Sequence, residues 1–299
     1  MKKINIGWIG TGVMGSSMCI RLLNAGYSMH IYNRTKAKAR KLIEMGAVWC
    51  DSAKEVAERS NIVFTIVGFP DDVKSVILGR NGVLEGVKSG SIVVDMTTSE
   101  PQLAGLIYSE ALKKAAFSID APVSGGDVGA KEGTLAIMCG GDRKIFDQIF
   151  PILEILGKNI AYMGKAGMGQ HTKMSNQILI ASTMIGVVES LIYACKAGLD
   201  LDSVIDVIGK GAASSWSINN LGRRIINGNF DPGFFIKHFI KDMGIALKES
   251  KRMNLSLPGL SLANQFYIAA TAMGYENMGT QGLYKVFQKL NPDITNTNK

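Results

Sequence analysis

Over the first 163 residues, short runs of β-branched and other apolar residues alternate with longer stretches whose apolar residues recur every three or four positions. The runs have the length of buried strands, and the stretches have the period of amphipathic helices. We predict strands at 4–9, 28–32, 62–67, 91–96, 118–121, 135–139 and 160–163. We predict helices at 14–25, 36–45, 52–59, 71–77, 102–114 and 143–156. This alternation is typical of an α/β domain with a parallel sheet that helices cover on both faces.

After Gly164 the pattern changes, because each further apolar repeat has the spacing of a helix. Helices are predicted at 169–196, 201–209, 217–228, 234–252, 258–273 and 280–290. We therefore divide the chain into an α/β domain at 1–163, a connecting helix at 164–196 and an all-helical domain at 197–299.

One apolar stretch, residues 178–195, has nearly the length of a membrane span. Glu189 interrupts it, and Lys173 and Lys196 flank it, whereas a span needs about 20 predominantly apolar residues. A helix that is apolar almost all round is also typical of a protein core. We interpret the stretch as a core helix and expect no membrane partner.

Composition, charge and cysteine spacing exclude several classes of protein. The 299 residues are 46% hydrophobic, which excludes a disordered chain, and 33 basic against 25 acidic residues give a net charge of +8. The basic residues are scattered, so we expect attraction for small anionic ligands and no nucleic-acid partner. The four cysteines lie far apart without a C-x-x-C pair. This spacing favours free thiols in a reducing cytoplasm, without disulfides or a metal site.

A glycine pattern follows the first predicted strand directly and begins the first helix. Its residues are Gly10, Thr11, Gly12, Val13, Met14 and Gly15, a G-x-G-x-x-G. In this position the first glycine permits a tight turn, the second lets a pyrophosphate approach the backbone, and the third packs helix on strand. Unpaired N–H groups at the start of a helix bind phosphate. The pattern predicts a doubly wound, Rossmann-type dinucleotide-binding sheet, with an ordinary strand–helix turn as the alternative.

The end of the second strand indicates which dinucleotide binds. A site selective for NAD carries a carboxylate there to bind the ribose, whereas this chain has Asn33, Arg34 and Thr35. A guanidinium and a hydroxyl suit a 2′-phosphate. We expect NADP(H) to be preferred over NAD(H); the alternative is that Arg34 only begins a solvated basic helix.

Two further segments have the composition of a carboxylate site and of an acid–base site. Ser124, Gly125 and Gly126 offer a hydroxyl and successive backbone N–H groups to a small carboxylate. Lys173 and Asn176 lie three residues apart and share one face of the apolar helix. A partly buried lysine releases its proton more readily and can donate it to a carbonyl oxygen. The structural alternatives are an ordinary turn and a lysine that extends into solvent.

Taken in order, these segments resemble the β-hydroxyacid dehydrogenase family, which includes 3-hydroxyisobutyrate dehydrogenase, tartronate semialdehyde reductase and glyoxylate/succinic semialdehyde reductase. The resemblance extends from Ile4 to about Leu290. Besides the glycine pattern, it rests on residues 120–126 (D-x-P-V-S-G-G), 167–176 (G-x-G-x-x-x-K-x-x-N) and 241–246 (K-D-x-x-x-A).

The resemblance implies a role for each matching residue, with Lys173 as the catalytic acid and base. Seven residues would bind the substrate: Thr98, Ser124, Gly125, Gly126, Asn176, Phe234 and Asp242. The cofactor would be bound by the six residues of the glycine pattern and by Asn33, Arg34, Thr35, Val67, Gly68, Thr98 and Lys241. The family also implies a homodimer or homotetramer in which helical domains pack between subunits.

Within the family, Arg34, Thr35 and residues 237–243 resemble the NADPH-using semialdehyde reductases. We therefore predict an oxidoreductase that interconverts small carboxylate-bearing semialdehydes and hydroxy acids by hydride transfer. Three alternatives stay open. They are a 3-hydroxyisobutyrate dehydrogenase working in the oxidative direction, a catalytically silent dinucleotide-binding subunit and a relative of the imine reductases.

Overall fold

The computed structural model describes residues 4–292. The chain forms two compact units, Met1–Lys173 and Met174–Lys299. The boundary between them falls inside the long predicted helix, which begins in the first unit and continues in the second. The functional division of the chain at residues 163 and 196 stays a prediction.

Strands of the first unit join one sheet, and helices connect them. The strands are β1 (Asn5–Ile9), β2 (Ser28–Tyr32), β3 (Val48–Trp49), β4 (Ile62–Thr65), β5 (Ile92–Asp95), β6 (Phe117–Asp120), β7 (Val123–Ser124), β8 (Leu135–Gly141) and β9 (Gly157–Gly164). The helices are α1 (Val13–Asn24), α2 (Arg40–Glu44, preceded by a 3-10 turn at Lys36–Ala39), α3 (Ala53–Arg59), α4 (Pro70–Leu78), α5 (Val83–Gly86), α6 (Pro101–Lys113), α7 (Gly126–Glu132) and α8 (Arg143–Leu156).

The strand order is β3-β2-β1-β4-β5-β6-β8-β7, and β9 pairs with β8. From β3 to β6 all neighbours are parallel, which confirms the predicted Rossmann-type sheet. Beyond β6 the sheet departs from the parallel pattern, because β8 runs antiparallel to β6 and β7. The chain reverses at Gly125 and Gly126, where φ is +130° and +64°, values that glycine adopts readily.

Apolar residues of the central strands pack on both faces of the sheet. Trp8 and Phe64 belong to the apolar cluster that includes residues of α1 and α8. Their sequence neighbours Ile9 and Val63 belong to the cluster that includes residues of α3, α4 and α6. Since successive strand residues point to opposite faces, both faces are covered, as the unbroken apolar runs predict.

The second unit is built of helices around one apolar cluster. After α9 (Met168–Lys196) they are α10 (Leu201–Ile208), α11 (Arg223–Ile226, preceded by a π-helical turn at Ser217–Gly222), α12 (Ile236–Arg252), α13 (Pro258–Ala272) and α14 (Leu283–Leu290, preceded by a 3-10 turn at Thr280–Gly282). Helix α9 is long and apolar enough to cross a membrane by length and composition alone. Its residues Met184, Val188 and Leu191 are fully buried in the cluster with Phe239 and Tyr267, which supports a core helix.

Candidate active site

The loop between β1 and α1 holds its three glycines for different reasons. Gly10 has a φ of +99°, and a Cβ on it would lie 2.0 Å from the carbonyl oxygen of Ile66. A Cβ on Gly15 would lie 2.1 Å from the carbonyl oxygen of Gly10. Around a Cβ on Gly12, by contrast, no atom of the described residues beyond its chain neighbours lies within 4 Å. Gly10 and Gly15 are thus required by packing, whereas Gly12 keeps an open face at the start of α1.

The start of α1 has the donors that a pyrophosphate needs. The first turn contains no acidic residue, and no side chain caps it, so its first N–H groups are available to an anion. Thr11 is 3% exposed, and within residues 4–292 its hydroxyl oxygen has no hydrogen-bond partner. A buried hydroxyl without a partner is unfavourable, and a phosphate oxygen would satisfy it. The residues present therefore fit a dinucleotide.

Asn33, at the end of β2, joins two loops at this edge of the sheet. Its Oδ1 accepts a hydrogen bond from the Thr11 N–H at 3.1 Å, and its Nδ2 donates to the Thr35 carbonyl oxygen at 2.9 Å. The neighbouring Arg34 side chain is 88% exposed, and its Nη1 lies 3.4 Å from Asp72 Oδ1. Asp72 also accepts from the Phe69 N–H, at the start of α4. An exposed pair of this length is weak, so Arg34 stays accessible to another anion.

The loops after β4 and β5 are tied to each other. The Val67 N–H donates to Thr97 Oγ1 at 3.0 Å, and the buried Asp95 accepts from Thr65 Oγ1 at 2.8 Å and from the Thr97 N–H at 3.1 Å. Parallel strands end at one edge of the sheet. That edge brings the glycine loop, residues 33–35, residues 67–68 and the half-buried Thr98 together.

The Ser124 loop presents the donors expected of a carboxylate site. Ser124 is half-buried at the end of β7, and Gly125 and Gly126 begin α7, whose first turn has no side-chain cap. One feature of the loop was not anticipated from the sequence. Asp127 places a carboxylate in the same turn, and Lys131 Nζ lies 3.8 Å from its Oδ2.

Asp120 ties the end of β6 to the start of α9. It is 4% exposed, and its Oδ1 and Oδ2 accept hydrogen bonds from the N–H groups of Gly167 at 2.7 Å and Gln170 at 2.8 Å. Burial raises the pKa of Asp120 to about 6, although both N–H groups oppose the shift and the charge of Asp95 adds to it. The carboxylate thus serves as an acceptor for main-chain groups at the beginning of the helix.

Gln170, one turn before Lys173, fixes the loop after β5 to the same helix. It is fully buried; its Nε2 donates to the Thr97 carbonyl oxygen at 2.7 Å, and its Oε1 accepts from the Ser99 N–H at 2.9 Å. The sequence reasoning did not identify this residue. A signal was present, because Gln170, Lys173 and Gln177 recur at helical spacing in an otherwise apolar stretch.

Lys173 lies in the segment that Asp120 and Gln170 fix, and it is 6% exposed. This burial excludes the alternative of a lysine that extends into solvent. Burial of an ammonium group is costly unless the group is paired or used. Lys173 is thus a buried amine in a helix start that two buried polar side chains fix.

In the second unit, four side chains form a polar chain between α9 and α12. Asn176 Nδ2 donates to Gln177 Oε1 at 2.7 Å, and Gln177 Nε2 donates to Asp242 Oδ2 at 2.6 Å. Lys241 Nζ lies 3.0 Å from Asp242 Oδ1, an ion pair without the alignment of a hydrogen bond. Phe234, just before α12, packs edge-on against Phe239 with 5.7 Å between ring centroids. Three predicted residues, Asn176, Lys241 and Asp242, are thus brought together through Gln177, which was not predicted.

Comparison with known proteins shows the family to which the chain belongs. Residues 5–164 match the family model of the NAD binding domain of 6-phosphogluconate dehydrogenase, and residues 167–287 match that described as NAD-binding of NADP-dependent 3-hydroxyisobutyrate dehydrogenase. The chain is 53% identical over 287 residues to the probable 3-hydroxyisobutyrate dehydrogenase-like 1, mitochondrial, of Arabidopsis thaliana, covering 96% of this chain and 86% of that one.

It is 35% identical over 285 residues to the 2-hydroxy-3-oxopropionate reductase of Escherichia coli, covering 95% and 97% of the two chains. Its structure resembles that of Psf3 in complex with NADP+ and 2-OPP, with a TM-score of 0.88 at 26% identity, over 94% of this chain and 99% of the other. The chain therefore belongs to the β-hydroxyacid dehydrogenase family of oxidoreductases, together with enzymes named 3-hydroxyisobutyrate dehydrogenase and 2-hydroxy-3-oxopropionate reductase.

Proposed function

We propose that the chain catalyses the NADPH-dependent reduction of a small aldehyde that carries a carboxylate, and the reverse oxidation of the hydroxy acid. The observation that carries the proposal is the burial of Lys173. Lysines are almost never this buried unless they are paired, so the fold holds the Lys173 ammonium in one place. The helix start before this lysine is held by two buried polar side chains, Asp120 and Gln170.

The reaction needs three contributions from this chain. The nicotinamide, when bound, supplies the hydride. Lys173 donates a proton from its ammonium to the carbonyl oxygen and becomes a neutral amine, which solvent reprotonates. The Ser124 hydroxyl and the N–H groups of Gly125 and Gly126 bind the carboxylate and so orient the aldehyde. Asn176, one helical turn beyond Lys173, binds the hydroxy acid form of the substrate next to the lysine.

The preference for NADPH has support from the residues at the end of β2. Asn33 replaces the carboxylate of an NAD site and is already committed to Thr11 and Thr35. Arg34 is exposed and suits a 2′-phosphate. Asp72 opposes this preference, since a bound phosphate would have to draw Arg34 away from its carboxylate. The matching family model and the NADP+ complex add support from relatives.

A second candidate is the oxidation of 3-hydroxyisobutyrate to methylmalonate semialdehyde. The 53% identical Arabidopsis relative, which is named a probable 3-hydroxyisobutyrate dehydrogenase-like protein, favours it. The chemistry of Lys173 is the same in both candidates, because the amine accepts the hydroxyl proton when the reaction runs towards the aldehyde.

Turnover of a substrate panel tests both proposals. The purified protein is assayed with glyoxylate and with succinic, tartronate and methylmalonate semialdehydes, using NADPH or NADH, and with 3-hydroxyisobutyrate and NADP+ or NAD+. We expect the highest kcat/KM with a semialdehyde and NADPH, with about a tenfold preference over NADH, which corresponds to about 1.4 kcal/mol. A preference for NADH would overturn the cofactor proposal. Fastest turnover of 3-hydroxyisobutyrate would favour the second candidate, and no turnover of any compound would overturn both.

We also propose that the chain forms a homo-oligomer through exposed apolar side chains of the second unit. Leu179 and Tyr193 on α9 are 69% and 74% exposed, and Leu262 and Ile268 on α13 are 53% and 43% exposed. Large apolar side chains exposed on one unit can be buried in a contact between subunits. Light scattering should give two or four times 32.2 kDa, whereas a monomer at micromolar concentration would contradict it.

The four free thiols suit the predicted cytoplasmic location.

A further inference from the structure

Gln177 is a buried side chain that neither the family motifs nor the proposed reaction uses. It lies on α9 directly after Asn176 and is 1% exposed. Both ends of its amide bind side chains, because Nε2 donates to Asp242 Oδ2 at 2.6 Å and Oε1 accepts from Asn176 Nδ2 at 2.7 Å. A fully buried glutamine with two side-chain partners links the polar residues around it.

The carboxylate at one end of this chain sets the direction of every hydrogen bond in it. Asp242 is 1% exposed and lies 3.0 Å from the Lys241 ammonium, and a carboxylate can only accept. Gln177 must therefore turn its NH₂ group to Asp242 and its carbonyl oxygen to Asn176. Asn176 must then turn its own NH₂ group to Gln177. The atom of the Asn176 amide that is not committed to Gln177 is its carbonyl oxygen, Oδ1.

The reversed order is strongly disfavoured at this site. It would place Gln177 Oε1 against Asp242 Oδ2, two acceptors at a separation that is now 2.6 Å. If Asn176 kept its present orientation, the NH₂ groups of both amides would also face each other. Buried polar groups left without partners are costly, and the burial of Gln177 and Asp242 keeps water from compensating.

We propose that Gln177 is a positioning residue, which transmits the charge of Asp242 to Asn176 and fixes the Asn176 carbonyl oxygen as the atom that meets the substrate. This inference rests on the proposed function, since it takes Asn176 as a substrate-binding residue. An acceptor oxygen binds a hydroxyl group and not a carbonyl group. Asn176 therefore favours the hydroxy acid, and during reduction it forms its hydrogen bond only as Lys173 delivers the proton.

This assignment predicts different kinetic effects in the two directions. In the Gln177→Met variant the Asn176 amide is free to rotate. We expect kcat for the aldehyde to fall about tenfold with KM nearly unchanged, because a bond made only in the transition state is lost. In the oxidative direction KM for the hydroxy acid should rise, because that ground state already uses the bond. NADPH affinity should stay within about twofold, because the variant changes a contact to the substrate and not one to the cofactor.

A double-mutant cycle tests whether Gln177 acts through Asn176. The Gln177→Met change should cause no further loss in an Asn176→Ala background. A further loss equal to that in the wild-type background would overturn the proposal. Gln281→Met is the matched control, because Gln281 is equally buried but its Nε2 donates to main-chain carbonyl oxygens, those of Asn229 and Asp231. The control should lose stability and keep both kinetic constants.

A second test exchanges the amide of Gln177 and the carboxylate of Asp242, so that the number of buried polar groups stays the same. Gln177→Glu alone sets two carboxylates against each other and should lower kcat. Combined with Asp242→Asn, the amide introduced at 242 donates to the carboxylate introduced at 177, which still accepts from Asn176. We expect kcat of the double variant to exceed that of Gln177→Glu, because the order of donors and acceptors along the chain is restored. Activity of the double variant as low as that of Gln177→Glu would overturn the proposal.

A measurement without substrate separates this inference from the proposed function. Nuclear magnetic resonance should show slow hydrogen exchange of the Asn176 side-chain NH₂ group in the wild type and fast exchange in Gln177→Met. Equal exchange in both would overturn the fixed orientation. If the wild type shows the slow exchange but reduces no semialdehyde, the proposed function fails while the orientation of Asn176 stands.

Discussion

Two buried aspartates hold consecutive parts of helix α9, and they do so in different ways. Asp120 belongs to the first unit and accepts hydrogen bonds from the main-chain N–H groups of Gly167 and Gln170. Asp242 belongs to the second unit and accepts from a side chain, Gln177, next to the ammonium of Lys241. Main-chain contacts fix where a helix begins, whereas side-chain contacts fix the direction in which one amide points.

The two aspartates also differ in the charge of the groups that surround them. Asp120 is held by neutral N–H groups, which only partly offset the cost of burial, so its pKa is raised to about 6. Asp242 has a cation 3.0 Å away. Asp120, which fixes the helix start before Lys173, is therefore sensitive to pH near 6.

The largest expected effect on stability comes from removing the Asp120 carboxylate. Asp120→Ala leaves two N–H groups without their acceptors in a site that is 4% exposed. Each buried group left without a partner costs about 1–3 kcal/mol, so we expect the free energy of unfolding in urea to fall by about 3 kcal/mol.

Asp142→Ala is the matched control for this prediction. Asp142 also accepts from two N–H groups at a helix start, those of Lys144 and Ile145 at the beginning of α8, but it is only half-buried. Loss of such a cap costs about 1 kcal/mol. An equal decrease in the free energy of unfolding of the two variants would contradict the prediction that the more buried aspartate contributes more to stability.

A smaller effect is expected from the titration of Asp120. Its pKa rises from 3.8 to about 6 in the folded protein. A raised pKa favours the folded state at low pH, so this contribution is fully present below about pH 4 and is lost as the pH rises through 6. Between pH 4 and 7 the wild type should lose on the order of 2 kcal/mol relative to Asp120→Asn, which does not titrate there. Unfolding curves with a constant difference across this range would contradict the raised pKa.

Much of the first unit could be predicted from its sequence, because its signals are local. The glycine pattern requires only a strand, a turn and a helix, and the packing of Gly10 and Gly15 follows it. The strand β7 and the helix α7 were not predicted, since two strand residues leave no periodic pattern. The reversal of β8 depends on pairing with β6, a contact between distant segments.

The residues of the candidate site also fall into two groups, those that a local sequence pattern reveals and those that only the structure reveals. Lys173 and Asn176 stand out in the sequence because polar residues interrupt an apolar helix. The roles of Asp120 and Gln170 depend on hydrogen bonds across 47 to 73 positions of the chain, which no local pattern reveals. The pairing of Arg34 with Asp72 likewise joins residues 38 positions apart. The sequence suggested the 2′-phosphate partner, while the competing carboxylate is visible only in the structure.

The turnover of Lys173→Ala tests most directly the claim that this buried lysine moves the proton. Lys196→Ala is the control, because that lysine is exposed at the opposite end of α9, about 34 Å away at 1.5 Å per residue. We predict that Lys173→Ala lowers kcat about a thousandfold, within the range of general acid catalysis, with NADPH affinity unchanged, and that Lys196→Ala retains wild-type kcat. A Lys173→Ala enzyme that turns over its semialdehyde at the wild-type rate would contradict the account.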